Sequence, residues 1–128
     1  MYRFDASDPD EREDLVRAAI AAHRDRGSQF CTFEAEPTDA ETPPPWIQYG
    51  DGLLNLDCTD GELDRLKTAL EAFPELTITD LTRPEEAEGT NVRIEAYTDD
   101  DRVAAAIDAI FLEAYDRPTD YRLWVTEI

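Results

Sequence analysis

Residues 53–74, LLNLDCTDGELDRLKTALEAFP, hold in one run both periods on which the fold depends. From Leu53 to Cys58 apolar and polar residues alternate. Leu54, Leu56 and Cys58 fall on one side and Asn55 and Asp57 on the other, as in a strand with one buried face. Thr59 followed by Glu62 spells a capping box, in which each residue's side chain satisfies the other's backbone N–H. Leu63, Leu66, Leu70 and Phe73 then recur at helical spacing until Pro74 ends the run. A strand therefore feeds directly into a helix.

The same unit is legible on both sides of that run. Upstream, Tyr2 to Asp5 reads as a short strand, Asp8 with Glu11 forms an Asx version of the capping box, and Pro9 takes the favoured first helical position. Leu15, Val16, Ala19, Ile20, Ala22 and His23 mark one helical face before Gly27 stops it. Downstream, Asn91 to Tyr97 reads as a strand, Thr98 or Asp99 caps, and Val103, Ala106, Ile107, Ile110, Phe111 and Ala114 line a buried face before Pro118. Asp99, Asp100 and Asp101 sit at the positive end of that helix dipole. Each helix is followed by a further strand candidate: Phe30 to Glu36, Leu76 to Leu81, and Tyr121 to Ile128.

Between the first and second units, Pro37 to Pro45 is a polar, proline-rich loop, and WIQYGDGLLNL (46–56) reads as a hairpin turning at Gly50-Asp51-Gly52. The order β-α-β-β-β-α-β-β-α-β predicts a two-layer α+β sandwich, three helices packed on one face of a mixed, mostly antiparallel sheet. With 128 residues and 41% hydrophobic content, the whole chain, 1–128, is expected to be a single domain. Residues 53–128 alone spell β-α-β-β-α-β, the ferredoxin-like split βαβ order, but a frame over residues 1–81 fits nearly as well. The strand order stays open.

Composition excludes more than it assigns. Lys and Arg total 12 against 31 Asp and Glu, a formal net charge of −19, and Lys67 is the only lysine. The acids are spread over every segment, which resembles the cytosolic proteins of extreme halophiles, a compositional class rather than a family. At molar salt the Debye length falls to about 3 Å, so self-repulsion costs little there. No apolar run approaches the 18 or so residues that a bilayer span needs, and the N-terminal residues lack the basic and apolar regions of a signal peptide. A cytoplasmic location and no membrane partner are expected. Nucleic acid is disfavoured as a partner, since the arginines form no basic stripe.

Catalytic chemistry finds little footing. Cys58 lies where a helix N-terminus stabilises a thiolate, but Asp57 and Asp60 raise its pKa and its phase matches Leu54 and Leu56. We read Cys58, like Cys31, as a core thiol. His23, the only histidine, suits a helix C-terminus, and no Cys/His spacing makes a zinc site. Ser7 and Ser28 stand in no Gly-x-Ser-x-Gly turn, and the glycines make no phosphate-binding loop. Asn55 to Glu62 departs from a calcium loop because Asp60 stands where the turn needs glycine. No catalytic residue, metal or cofactor is assigned, and enzymatic activity is left open with the balance against it.

Alternation sends Leu54, Leu56, Cys58, Leu76, Ile78, Val92, Ile94, Leu123 and Val125 under the helices. It leaves Asn55, Asp57, Arg93, Glu95, Tyr97, Arg122, Trp124 and Thr126 on the opposite face, a mixture with the composition of an interface. The expected function is a non-enzymatic interaction module that self-associates, or takes a protein partner, through that face, with Trp124, Tyr97, Arg93 and Arg122 as its candidate residues. The alternative is an anionic ligand held by Arg93 or Arg122 on the same face, or beneath the 37–45 loop, with Trp46, Tyr49 or Tyr97 converging on it.

Overall fold

A computed structural model describes residues 5–27, 29–37, 43–83 and 89–127, with the side chain of Glu127 excepted. Positions 2–4 of the first expected strand, Ser28, residues 38–42 of the proline-rich loop and Ile128 lie outside the described residues. The helices begin and end where local chemistry dictates. In α1 (Pro9–Arg26) the Asp8 carboxylate accepts from the N–H of Asp10 at 3.1 Å and of Glu11 at 3.4 Å. Gly27 closes that helix in the left-handed conformation, φ 63°. In α2 (Asp60–Ala69) the capping box is complete: Glu62 N–H donates to Thr59 Oγ1 at 3.2 Å, and Thr59 N–H to Glu62 Oε1 at 2.8 Å. Asp99 rather than Thr98 caps α3 (Asp100–Ala109), accepting from Arg102 N–H at 2.9 Å.

The strands are β1 (Asp5–Ala6), β2 (Cys31–Ala35), β3 (Trp46–Gly50), β4 (Leu53–Cys58), β5 (Thr77–Thr82), β6 (Thr90–Glu95) and β7 (Leu123–Glu127). They form one sheet in the order β1-β7-β2-β3-β4-β6-β5, and each ladder is antiparallel. Parallel ladders were expected as a minority. None occurs among the described strands, because every strand-helix-strand unit has antiparallel strands wedged between its members. β7 separates β1 from β2, β6 separates β4 from β5, and β2, β3 and β4 separate β6 from β7. The split βαβ thus appears twice. Over residues 53–128 the ferredoxin-like neighbours β4-β6-β5 are present, but the β2–β3 pair stands between β4 and β7.

All three helices share one face for a reason of handedness. The β1-α1-β2 and β4-α2-β5 crossovers move one way along the sheet from strands of one direction. The β6-α3-β7 crossover moves the other way from a strand of opposite direction, so right-handed connections bring all three to the same side. Under them Phe33, Ile47, Leu54, Leu56, Ile94 and Leu123 of the sheet meet Ile20, Leu66, Ile107, Ile110 and Phe111 of the helices, every one of them fully buried. Asp51 and Gly52 turn the β3–β4 hairpin with φ of 52° and 77°, as a two-residue turn matched to strand twist requires. Gly50 is obligatory beside it, because a Cβ there would strike the Gln29 carbonyl oxygen.

The end of α3 widens into a π turn, Ile110–Ala114, closed by Tyr115 N–H on Ile110 O at 3.2 Å. The wider turn buries Ile110, Phe111, Ala114 and Tyr115 together, and the Tyr115 hydroxyl reaches Asp57 O at 2.5 Å.

Candidate functional site

The sheet face away from the helices carries one aromatic row. In register across three strands stand Trp124 of β7, Glu34 of β2 and Trp46 of β3, with Asp5 of β1 beyond Trp124. Trp124 is 40% exposed and Trp46 half-buried. Arg122, just before β7, lies with its guanidinium 5.7 Å from the centroid of the Trp124 ring and 3.6 Å from an Asp5 carboxylate oxygen.

A second row, Arg93-Asn55-Gln48-Thr32, runs alongside, with Asp80 of β5 opposite Arg93. Its centre is a chain of amides. Asn91 Nδ2 donates to Asn55 Oδ1 at 2.8 Å and Asp57 Oδ1 at 2.9 Å, and Asn55 Nδ2 donates to Gln48 Oε1 at 3.4 Å. Thr32 Oγ1, beneath this face, is buried with no partner. The amide chain itself is uncharged, while Glu34 and Asp57 of the central strands bring carboxylates onto the same face.

Tyr97 is not part of that face. β6 ends at Glu95, and Thr98 N–H donates to Ala96 O at 2.9 Å, a three-residue turn that carries the Tyr97 ring onto Gly52 at the hairpin tip. Tyr49 points the other way as well, buried under the helices with 7% exposure. The structure unites these two tyrosines elsewhere. They line a cleft of about 850 Å³ with His23, Arg24, Asp51 and Thr98, between the end of α1, the hairpin tip and the loop before α3. The rings of His23 and Tyr49 meet edge to face, centroids 6.1 Å apart. Burial, followed by the Asp100 carboxylate, pushes the Tyr49 phenol above its ordinary pKa.

A smaller hollow of about 360 Å³ lies against Pro43, Pro44, Pro45 and Trp46, with Cys58, Tyr115 and Arg117 among its walls. Neither concavity is built on Arg93 or Arg122. The arginines that line them are Arg24 and Arg117, so the geometry expected for an anion on the sheet face, an Arg converging with Trp46, Tyr49 or Tyr97, is not formed by Arg93 or Arg122.

Burial holds the thiols of Cys31 and Cys58 protonated, pushing each pKa up to about 12. Both are free and buried. Among the described residues no group of His, Cys, Asp and Glu side chains is arranged to hold a metal ion, and no helix is long and apolar enough to cross a membrane.

One constellation escaped the sequence reading. Arg12 is fully buried and Asp108 nearly so, joined to each other and to Tyr121. The available signal was phase, for Arg12 stands four residues before Val16 on the buried face of α1, and Asp108 stands beside Ile107 and four after Ala104 on that of α3. Its work is to tie α1, α3 and the approach to β7.

Fold and surface together define a two-layer α+β domain with one sheet face that no described helix covers. A model of a family of unknown function, DUF7975, matches residues 1–128, and the chain belongs to that family. No curated protein and no solved structure matches it.

Proposed function

We propose that this chain is a salt-adapted cytoplasmic interaction module, without catalysis of its own, that self-associates by pressing its bare sheet face against the same face of a second copy. The row Trp124-Glu34-Trp46 carries this reading, because two indoles flanking Glu34 on a helix-free face supply the aromatic anchors of an interface. Around them Thr32, Gln48, Asn55 and Asn91 are uncharged, Glu34 and Asp57 add carboxylates, and the edges carry both signs.

The edges also complement one another. A two-fold axis parallel to the strands lays the β1–β7 edge of one copy, with Asp5 and Arg122, over the β5–β6 edge of the other, with Asp80 and Arg93, so both edges bring both signs of charge to the contact. Seven strands of about five residues make a face roughly 30 by 17 Å, large enough to seat a modest dimer. The free buried thiols suit a reducing compartment, and the net charge of −19 suits concentrated salt.

Light scattering in concentrated KCl tests the interface. Twice the 14.5 kDa chain mass is expected, falling to one chain for Trp124→Glu with an unchanged circular dichroism spectrum. A wild-type monomer at all concentrations, or an unchanged mass for Trp124→Glu, would overturn it.

A further inference from the structure

The cleft at the hairpin tip lies apart from the bare sheet face, and its chemistry points to a ligand of one charge. Its two positive features are already matched by carboxylates of the chain itself. Asp100 grips the Arg24 guanidinium through both oxygens, at 3.0 and 3.3 Å, and holds it firmly charged. Asp99 fills the N-terminus of α3 by accepting from Arg102 N–H. An incoming anion would have to displace one of them, against a chain of net charge −19.

The rest of the lining carries aromatic rings and a carboxylate. Tyr97 is 68% exposed, yet its place is set because its ring lies on Gly52, where any Cβ would collide with it. Tyr49 and His23 form a floor of paired rings, 7% and 8% exposed. The carboxylate of Asp51, held out at the turn by a positive φ, has no ion pair among the described residues. Aromatic rings beside an unpaired carboxylate attract a weakly hydrated cation, by the ring quadrupole and by simple charge.

We propose that this cleft binds a small organic cation of the alkylammonium class, with Tyr97 and Tyr49 against its methyl or methylene groups and Asp51 against its charge. At about 850 Å³ the cleft is of the size that takes a small molecule.

The test is a titration followed by NMR at constant chloride, with choline as the probe and 3,3-dimethylbutan-1-ol as its uncharged isostere. Choline is expected to shift the Gly52, Tyr97 and Thr98 amides saturably and to bind about threefold to thirtyfold more tightly than the alcohol, the range of a cation–π contact. Tyr97→Ala should weaken choline by a comparable factor, and Asp51→Asn should weaken it while leaving the alcohol unchanged. Both side chains are exposed, so both variants retain the fold, which their amide spectra will report. Equal affinity for the two probes, shifts at these residues caused by acetate instead, or no saturable shift with choline would each overturn the proposal.

Discussion

Arg12 Nε donates to Asp108 Oδ1 at 2.8 Å, and that same oxygen accepts the Tyr121 hydroxyl at 2.7 Å, while the Arg12 guanidinium lies 4.1 Å from the centroid of the Tyr121 ring. Arg12 Nη1 is spent on the carbonyls of Ser7, Thr119 and Tyr121, and Nη2 donates to Asp108 Oδ2 at 3.5 Å. A buried pair so fully hydrogen-bonded costs little while whole and much when halved, since one charge is then stranded. Asp108→Ala is therefore expected to lower unfolding free energy by about 3–5 kcal/mol, and Arg12→Met with Asp108→Leu together by less than the sum of the two single changes. Chemical denaturation in concentrated KCl reads both.

Alkaline pH should weaken the fold. Burial raises the pKa of Cys31 and Cys58 from 9.0 to about 12, and raises those of the Tyr115 and Tyr121 hydroxyls as well. Above the unfolded values the unfolded chain gives up protons that the folded chain retains, so stability is whole below about pH 8.5 and falls as pH rises. Each buried thiol contributes a slope of about 1.4 kcal/mol per pH unit between its two pKa values. Cys58→Ala should remove one such slope in denaturation curves taken from pH 8 to 11. An unaltered pH profile in that variant would refute the assignment.

The capping box and the hairpin turn were legible because both are local. Thr59 and Glu62 complete their bonds from only three positions apart, and Asp51-Gly52 adopts the one turn its neighbours allow. Thr59→Ala should cost about 1 kcal/mol, measurable as a lowered denaturation midpoint with unchanged slope. Gly50→Ala should cost more, about 1–3 kcal/mol, because the obstructing atom is a backbone carbonyl that cannot swing aside.

What could not be read was whatever distant segments decide jointly. The face of each strand followed from alternation, and so Trp124, Arg93 and Arg122 were placed correctly on the helix-free side. Tyr97 was not, because the turn beyond Glu95 depends on a hairpin tip some forty-five residues earlier. Strand order depends on which strand wedges between which, and nothing within β7 itself names β1 and β2 as its neighbours. Arg12 and Asp108 each look like an ordinary helix residue until the helices are laid side by side.

Salt should govern stability more than any single substitution. At millimolar ionic strength the Debye length reaches tens of ångströms and the 31 acids repel one another across the whole surface; in molar KCl it falls to about 3 Å. The unfolding midpoint is expected to rise steeply between those limits and most of all below about 0.5 M. A thermal midpoint indifferent to KCl would contradict the salt-adapted reading.

The position of β7 between β1 and β2 has a kinetic consequence. Its ladders join residues far apart in the chain, Glu34 to Trp124 on one side and Asp5 to Trp124 on the other, whereas β4, α2, β5 and β6 close among themselves over a short stretch. Loops of that length close slowly. Pulsed hydrogen exchange should find the β4-β6-β5 amides protected early and those of β2 late, in step with β7. On a ribosome the strand-helix-strand unit that emerges first is thus completed only when residues 123–127 arrive, and until then the edges of β1 and β2 that β7 will cover stay exposed to other chains.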